Sequence, residues 1–464
     1  MSRANGSVMR YLLSSAFLNG PSYRKNIKEF VKSDIKLLAP ENGVDMQLLV
    51  NTCEKLDRRD LKYELLFTFL TFTFLILLAV ASESRSDSNF ANTGILVNLL
   101  IAGTTWIIKE RKQRKWVKHF FNAKTFNKND FEQEFLGESV FPEYAHKQGE
   151  NIVIYDGFNP FIGSGLDLDG WSISIDLSKK KDDITCHDEA DIKDFELDEL
   201  YECLSENLKS LGFSKLSIKD MLFVNGTDIK DIDWMLPDKY KRPISSVKNL
   251  QIKNFYASSN KQVRHYKLVQ VADWENDIIL SFYIRFSLQS DNLFVEVSRF
   301  LLTPIASQYR KIDSMATLST KKKLSSVVVR FLFGGLFSAY STLLFVARIQ
   351  NLLSEIFISQ SRRVQKEVDD NPLFNYGAKT TIRESYSGEE YQHYFQKLDK
   401  ELYFKTLERS FLDTIVSFLD SHNIDTNELG ERRTTIINSG IIVKGGDVNA
   451  GSLAVGKKAK AKNN

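Results

Sequence analysis

Residues 65–81, LLFTFLTFTFLILLAVA, contain no charged residue. A helix of this length reaches roughly 26 Å, close to the hydrocarbon thickness of a bilayer. Leu and Phe lie on all sides of that helix, so it has no polar face to turn toward water. The stretch therefore predicts a membrane-spanning helix rather than a buried helix of a soluble core.

A second uncharged stretch, FANTGILVNLLIAGTTWII, covers residues 90–108. Only the polar segment SESRSDSN, residues 82–89, separates it from the first stretch. Tyr63 and Trp106 stand near the ends of the two runs, where amphipathic rings favour the membrane interface. We therefore predict a transmembrane helical hairpin, with spans at about 65–81 and 90–108.

Basic residues orient this hairpin. One group precedes the first run and another follows the second, whereas the loop between them holds only Arg85. The two groups are Lys55, Arg58, Arg59 and Lys62, and then Lys109, Arg111, Lys112, Arg114, Lys115 and Lys118. The positive-inside rule places both ends of the hairpin in the cytoplasm. The second group could also lie against anionic lipid headgroups, at about 1 kcal/mol per residue near the surface, although we favour the interpretation that it is a topology signal alone.

A third apolar segment, residues 326–350, allows more than one interpretation. Arg330 interrupts it, two glycines at 334–335 weaken its middle, and Arg348 closes it. It could be a third span that places the C-terminal region outside, a helix lying in the interface, or a re-entrant pair broken at the glycines. We favour a segment that does not cross, because this keeps both basic flanks and the Lys-rich tail in the cytoplasm.

From residue 151 the hydrophobic period changes to two, which is typical of strands. NIVIY and WSISIDL flank a glycine-rich stretch and predict two strands of one long hairpin, and DIILSFYIRFSLQ and NLFVEVSRFLL predict a second hairpin. ELDELYECLSENLKSLGF carries apolar residues at helical steps and predicts a helix that ends at Gly212. The expected fold class is an α+β membrane protein with an antiparallel sheet in its cytoplasmic domain.

The predicted organisation has six parts. They are an N-terminal helical region at 1–60, the transmembrane hairpin with its basic flank at 61–118, a cytoplasmic α+β domain at 119–320, a third membrane-associated segment at 321–350, a helical region at 351–430 and a Gly/Asn-rich tail at 431–464. Small apolar runs in the tail are typical of short strands with tight turns. They could stack on copies of themselves, or form a loosely ordered tail that pairs with its own chain.

The glycine-rich stretch NPFIGSGLDLDGWSISIDL, residues 159–177, is the candidate site. A dinucleotide fingerprint would need a helix after G-x-G-x-x-G, and a strand follows here, so no helix N-terminus receives a phosphate. We interpret the glycines as left-handed turn positions in a hairpin loop that Phe158, Phe161 and Trp171 close as an apolar cluster. A ligand or partner loop is the alternative.

Composition and motifs argue against several classes of function. A net charge of +3 over 464 residues is too small to imply a nucleic-acid partner. Three cysteines without a CxxC pair fit a reducing compartment. Cys186 and His187 lack further ligands at zinc spacing, so we predict no metal and no cofactor. No catalytic motif makes a case for an enzyme, and no cleaved signal peptide is expected.

Four stretches resemble a group of uncharacterised bacterial membrane proteins that have an N-terminal helical hairpin and a Gly/Asn-rich tail. The stretches are NPFIGSGLDLDGWSISIDL, FNYGAKTTIRES, YFQKLDKELYFKTLERSFLDTIVSFLDSHNIDT and ERRTTIINSGIIVKGGDVNAGSLAVG. The resemblance covers most of the chain from about residue 60 to 457, and it implies a bacterial inner-membrane location without an activity. It directs the search for a binding site to Asn159, Pro160, Gly163, Gly165, Trp171, Tyr376, Gly377 and Arg383.

The leading expectation is an integral membrane protein that acts as a non-enzymatic, self-associating sensor, scaffold or effector. The lipid bilayer and further copies of the chain are its expected partners. One alternative is a membrane-disrupting, defence-type effector whose third segment inserts on a signal. Another is a ligand- or nucleotide-binding enzyme that uses the loop at 157–171.

Overall fold

The structure, a computed structural model, describes residues 7–83, 88–137, 144, 148–180, 191–256, 262–315, 334–357, 360–427 and 429–430. Its helices are α1 (Ser7–Leu18), α2 (Gly20–Phe30), α3 (Met46–Glu83), α4 (Ser88–Phe120), α5 (Lys128–Phe131), α6 (Leu197–Ser210), α7 (Asn249–Ile252), α8 (Lys311–Met315), α9 (Gly334–Phe357), α10 (Gln360–Asp369), α11 (Ile382–Ser385) and α12 (Tyr394–Ser421). Its strands are β1 (Ile152–Tyr155), β2 (Leu166–Asp176), β3 (Leu216–Asn225), β4 (Val263–Asp273), β5 (Ile278–Gln289) and β6 (Asn292–Leu302). The predicted tail and the pair at 186–187 lie outside the described residues.

The two long helices α3 and α4 form the predicted hairpin. Phe67 and Leu70 of α3 pack against Ala102 of α4, and Gly94 of α4 lies beside Leu77 of α3, so the helices are antiparallel. Both are long and apolar enough to cross a membrane. Helix α3 continues without a break through the division predicted at residue 60. The helical hairpin is therefore confirmed as a structural element.

The outer faces of this hairpin carry large apolar side chains. Phe69, Phe72 and Ile76 of α3 expose 64%, 61% and 62% of their surfaces, and Leu96 of α4 exposes 63%. Soluble proteins rarely expose contiguous apolar patches of this kind. The hairpin thus presents an apolar surface to its surroundings over the level of residues 65–81.

Helix α9 packs against both helices of the hairpin. The Ser338 hydroxyl donates to the carbonyl oxygen of Phe67 at 2.8 Å, whereas Arg348 forms ion pairs with Asp57 at 3.4 Å and Glu64 at 3.2 Å. Since Ser338 precedes Arg348 while Phe67 follows Asp57, α9 runs antiparallel to α3. Residues 326–333 of the third apolar segment, with Arg330, lie outside the described residues.

The N-terminal helices form a base beneath the hairpin. Leu12, Leu13 and Phe17 of α1 are fully buried against the lower part of α3 and the end of α4. The Arg24 guanidinium of α2 contacts carboxylate oxygens of Asp57 at 2.6 Å and Asp60 at 2.7 Å. Buried ion pairs of this kind add little net stability, because the cost of desolvation offsets the attraction between the charges. Here they join α2 to the lower part of α3, where Arg348 of α9 also pairs with Asp57.

Six strands form one sheet in the order β1-β3-β4-β5-β6-β2. Strand β1 pairs with β3 in parallel, and all other neighbours are antiparallel. The predicted hairpin of β5 and β6 is confirmed, with Gln289 opposite Asn292. The predicted hairpin of β1 and β2 is wrong, because these strands lie at opposite edges of the sheet. The chain between them, residues 156–165, must therefore travel from one edge to the other, and we call it the strap.

Helices α6 and α12 cover one face of the sheet. Leu200 and Leu204 of α6 and Leu407 and Phe411 of α12 belong to one continuous core with strands β3–β6. The helix predicted to end at Gly212 is confirmed, since α6 ends at Ser210 and Gly212 has φ +69°. The C-terminal helical region is thus part of the core of the sheet domain.

The strap lies on the opposite face. Phe161 is buried there, stacked on Tyr283 with ring centroids 4.2 Å apart and in edge contact with Phe223. The predicted cluster of Phe158, Phe161 and Trp171 is wrong: Phe158 is fully exposed, and Trp171 packs on the other face against the α12 helix. An aromatic ring gains more from a site in a sheet core than from a small loop cluster, and Phe161 and Trp171 reach such sites on opposite faces of the sheet.

Candidate functional site

The carboxylate of Glu384 fastens the strap at its glycines. The backbone N–H of Gly163 donates to Glu384 Oε2 at 3.0 Å, and that of Gly165 donates to Oε1 at 3.2 Å. The Thr380 hydroxyl adds a third hydrogen bond at 2.8 Å. Backbone N–H groups in a glycine-rich turn are donors that a bound phosphate could use. In this chain they hold an internal carboxylate instead.

Both glycines are required by the backbone and by space. Gly163 and Gly165 have φ +84° and +86°, a region that side chains disfavour. A Cβ atom at Gly163 would lie 2.7 Å from Thr381 Cγ2, and one at Gly165 would overlap the carbonyl oxygen of Leu301. The geometry therefore supports the predicted use of left-handed glycines, in a strap rather than in a hairpin loop.

Arg383 lies at the centre of the same region and is fully buried. Its guanidinium donates to the carbonyl oxygens of Thr303 at 2.7 Å and Asp277 at 3.0 Å, and to the Ser387 hydroxyl at 2.6 Å. Burial lowers the pKa of Arg383 to about 10. The side chain joins the chain just before β5 to the chain just after β6, and only its Nε atom is left without a hydrogen-bond partner among the described residues.

Glu41 caps the short helix that carries Arg383. Its carboxylate accepts the backbone N–H groups of Ile382 at 2.6 Å and Arg383 at 3.0 Å. Burial raises the pKa of Glu41 to about 7, although the two hydrogen bonds act in the opposite direction. The segment before α3 is thereby bound to the region that fastens the strap.

The structure does not bring the other predicted site residues into this region. Trp171 Nε1 donates to Glu408 at 2.8 Å on the α12 face, and the Tyr376 hydroxyl donates to the carbonyl oxygen of Lys239 at 2.7 Å. Gly377 packs against the backbone of residues 155–156 beside β1. Asn159 accepts the N–H of Phe161 at 2.9 Å within the strap, and Pro160 is half-buried beside it. The eight predicted site residues therefore lie in several separate parts of the fold and do not form one site.

A buried polar cluster under α6 was not predicted. His265 Nε2 lies 2.9 Å from an Asp220 oxygen, the Lys267 ammonium lies 3.1 Å from it, and the Tyr256 hydroxyl donates to it at 3.2 Å. Burial alone would raise the pKa of Asp220, but the hydrogen bond from His265 and the charge of Lys267 outweigh burial and lower it. The described residues hold no group of three His, Cys, Asp or Glu side chains that could bind a metal ion.

A basic cavity of about 770 Å³ lies between the lower parts of α3 and α4. Seven cations and three aromatic rings line it: Lys55, Arg58, Arg59, Lys62, Lys109, Lys112 and Lys115, with Tyr63, Trp116 and Phe135. The lining residues recur at three- and four-residue steps on each helix, so each set forms one face. Because the helices are antiparallel, these two faces meet at the same level.

The predicted membrane-surface strip is divided by this geometry. Lys109, Lys112 and Lys115 line the cavity, whereas Arg111 and Lys118 are exposed outside it. Arg114 also lies outside the cavity lining and is paired with Glu110 at 2.7 Å. The basic residues that are continuous in sequence therefore lie on two different faces of α4.

Comparison with known proteins gives a family for the chain. A family model described as an AbeC-like domain matches residues 170–449, which is more than half of the chain. The match begins within β2 and includes α6, α9 and α12. No curated protein and no solved structure matches the chain. The chain therefore belongs to the family of AbeC-like domain proteins.

Proposed function

We propose that this protein is an integral protein of the bacterial inner membrane that holds its sheet domain at the cytoplasmic face and acts there as a self-associating, non-enzymatic scaffold, sensor or effector. One observation carries the proposal. The exposed faces of α3, α4 and α9 are apolar at one level, and a dense group of charged residues, among them Lys62, Lys109 and Arg348, lies below that level. Leu343 of α9, exposed by 69%, continues the apolar surface formed by Phe69 of α3 and Leu96 of α4.

Packing of the C-terminal helix supports a common side for the soluble parts. Helix α12 follows α9 in the chain, yet it packs on the same sheet that precedes α9. Both parts must then lie on one side of the membrane. Ser338 and Thr342 contact Thr71 midway along residues 65–81, at 2.8 Å and 3.0 Å, which favours a re-entrant third segment over a helix in the interface. The chain enters and leaves from the cytoplasm, and the tail stays inside.

Cysteine labelling of intact cells tests this topology. Reporter cysteines at Ser439 in the tail, at Ser210 on α6 and at Ser86 in the hairpin loop are placed in a background that lacks the three native cysteines. A membrane-impermeant thiol reagent is expected to label Ser86→Cys in intact cells, and the other two only after the cells are opened. Labelling of the tail reporter from outside would overturn the common side. Release of the whole protein by alkaline carbonate would overturn membrane insertion.

The positions of the predicted ligand residues support a non-enzymatic role. The Glu384 carboxylate and the Trp171 indole N–H are both hydrogen-bonded to groups within the chain. Self-association is tested by comparing the mass of the full chain in mild detergent with that of a chain ending at residue 433. An oligomer that the truncation dissociates is expected. A monomer in both cases would remove self-association from the proposal.

A membrane-disrupting effector is the second candidate, and the attachment of α9 favours it. Within the apolar level this helix contacts α3 through the hydroxyls of Ser338, Thr342 and Thr71, and at the base through Arg348. Polar groups inside a membrane commonly mark functional positions. Overexpression is expected to slow growth, more so for Arg348→Gln, which loosens α9, and less when the glycines at 334–335 are replaced by Leu. Equal growth of all three strains would refute this candidate.

A further inference from the structure

We propose that the basic cavity between α3 and α4 binds a phospholipid headgroup that carries two phosphates, at the cytoplasmic surface of the membrane. This inference rests on the membrane location proposed above. It differs from general attraction of a basic surface to anionic lipid, because it assigns a bounded site with its own lining residues. Basic pockets between transmembrane helices on the cytoplasmic side are typical sites for such headgroups.

The charge balance of the cavity favours an anion. Of the acids near the lining, Asp60 is already paired with Arg24 at 2.7 Å and with Lys109 at 3.4 Å, and Glu54 lies 3.8 Å from Arg58. Lys62, Lys112 and Lys115 form no hydrogen bond or ion pair with any residue that the structure describes. Like charges that share a confined site repel one another, so a bound anion removes an unfavourable interaction that the empty cavity retains.

An unpartnered buried atom points to the same site. Arg59 lines the cavity, and its Nε atom is buried without a hydrogen-bond partner among the described residues. Buried polar atoms of proteins are nearly always hydrogen-bonded, and guanidinium groups match phosphate oxygens well. The cavity thus offers three lysines without an acidic partner and one guanidinium with a free donor. Their combined positive charge is larger than one phosphate group can neutralise. A headgroup with two phosphates fits this number of donors.

The surroundings favour a lipid over a soluble phosphate compound. Leu66 lies one helical turn above Lys62, and Ile108 precedes Lys109; both apolar side chains are exposed. Acyl chains of a bound lipid would therefore continue onto the apolar faces of both helices. Tyr63, Trp116 and Phe135 give the cavity aromatic walls of the kind that favour the membrane interface.

Two further lining cations, Lys55 and Lys109, are held in place by contacts within the chain. Lys55 Nζ donates to the carbonyl oxygen of Leu136 at 3.0 Å and lies 5.5 Å from the centre of the Phe135 ring. Lys109 lies 5.4 Å from the ring centre of Tyr63 in addition to its ion pair with Asp60. Charges held in this way lose little conformational entropy when a ligand binds. These two cations are therefore preorganised for binding, unlike the mobile lysines of an ordinary protein surface.

The test compares two triple variants of the full chain in nanodiscs of neutral lipid, titrated with cardiolipin as the lipid with two phosphates. The cavity variant is Lys62→Gln, Lys112→Gln and Lys115→Gln. The surface variant removes equal charge outside the cavity, at Arg111→Gln, Lys118→Gln and Lys124→Gln. All six side chains are exposed or line the open cavity, so both variants are expected to keep the wild-type unfolding temperature.

We expect the cavity variant to bind cardiolipin about tenfold more weakly than the wild type, and the surface variant to bind within about threefold. Equal losses in both variants would reduce the site to general surface attraction and overturn the proposal. A parallel titration with inorganic pyrophosphate in lipid-free detergent distinguishes the source of the phosphate. Tight pyrophosphate binding that the cavity variant abolishes would replace the lipid by a soluble compound and overturn its assignment.

Failure of this site and failure of the membrane proposal give different results. If the wild-type chain does not enter nanodiscs at all, the membrane location is wrong and the headgroup site falls with it. If the chain enters nanodiscs but the two triple variants behave alike, the anchor stands and only the headgroup site is lost. The two conclusions are therefore tested separately in one preparation.

Discussion

Replacing Glu384 by Gln tests whether the glycine-rich strap is a structural element or a ligand loop. The carboxylate accepts hydrogen bonds from Gly163 at 3.0 Å, from Gly165 at 3.2 Å and from Thr380 at 2.8 Å. A Gln amide keeps one oxygen and directs an NH2 group toward the remaining donors. At least one backbone N–H of the strap therefore loses its acceptor and meets another donor.

Two contributions set the size of the effect. A hydrogen bond to a charged group contributes about 1.5–3 kcal/mol, and a buried donor left without a partner costs about 1–3 kcal/mol. Phe161 stays packed on Tyr283 and limits how far the strap can move. We expect a loss of about 3 kcal/mol in the free energy of unfolding, which lowers the Tm by roughly 6–12 °C for a domain of this size.

Thermal unfolding in mild detergent, followed by tryptophan fluorescence, measures this loss. Limited proteolysis of residues 156–165 reports whether the strap opens locally. Glu389→Gln is the matched control, because this acid is exposed five positions along the chain, and it should leave the Tm within about 2 °C. A wild-type Tm and wild-type proteolysis for Glu384→Gln would show that the carboxylate does not fasten the strap. The ligand-loop alternative would then regain support.

Further predictions concern neighbouring contacts. Gly165→Ala should lower the free energy of unfolding, measured by denaturant titration, by about 2 kcal/mol or more, because the Cβ atom meets the Leu301 carbonyl oxygen at positive φ. An unchanged free energy of unfolding would contradict the strap geometry. Arg299→Met leaves the buried Glu408 carboxylate without its ion pair and should destabilise by about 3–5 kcal/mol in the same assay, whereas a loss below about 1 kcal/mol would argue against the pair. Because burial raises the pKa of Glu41 from 4.5 to about 7, the native state binds the extra proton between these values, so the free energy of unfolding should fall as pH rises through that window. Glu41→Gln should flatten this part of the pH profile of Tm, and an unaltered slope would assign it to another group.

Local signals in the sequence were sufficient for several elements. The uncharged runs predict α3 and α4, and the alternating residues around Ser290 predict the hairpin of β5 and β6. Gly212 marks the end of α6 correctly because its left-handed conformation terminates a helix. Each of these predictions depends on residues that are close in sequence.

Strand partners across the sheet could not be predicted in the same way. β1 and β2 are close in sequence, yet β1 pairs with β3 in parallel and β2 pairs with β6. Parallel pairing leaves no turn in the sequence, because its connection is long. β3 itself was missed, since its last residues, Leu222 to Val224 among them, are buried on both faces and show no alternation.

The basic cavity was present in the sequence only as two separate groups. In the sequence, the cations before the first apolar run indicate topology, and those after the second run form one continuous basic strip. Helical spacing selects Lys109, Lys112 and Lys115 from that strip, and the antiparallel hairpin sets them opposite Lys55 and Lys62. The opposition of two helix faces is a tertiary fact, so sequence spacing predicts each face but not the cavity.

Because α12 belongs to the core of the sheet, that core can be completed only late in synthesis. A ribosome completes β6 before it synthesises α9, and it completes α9 before α12. Until α12 emerges, α6 can already cover part of that face through Tyr201, but Phe282 and Phe286 lack their contacts with Phe404 and Phe411, although every strand is already present. The new chain therefore carries an unfinished hydrophobic face through the whole period in which its third apolar segment is delivered. Chaperones that shield such faces would act on this protein late, after its strands have formed.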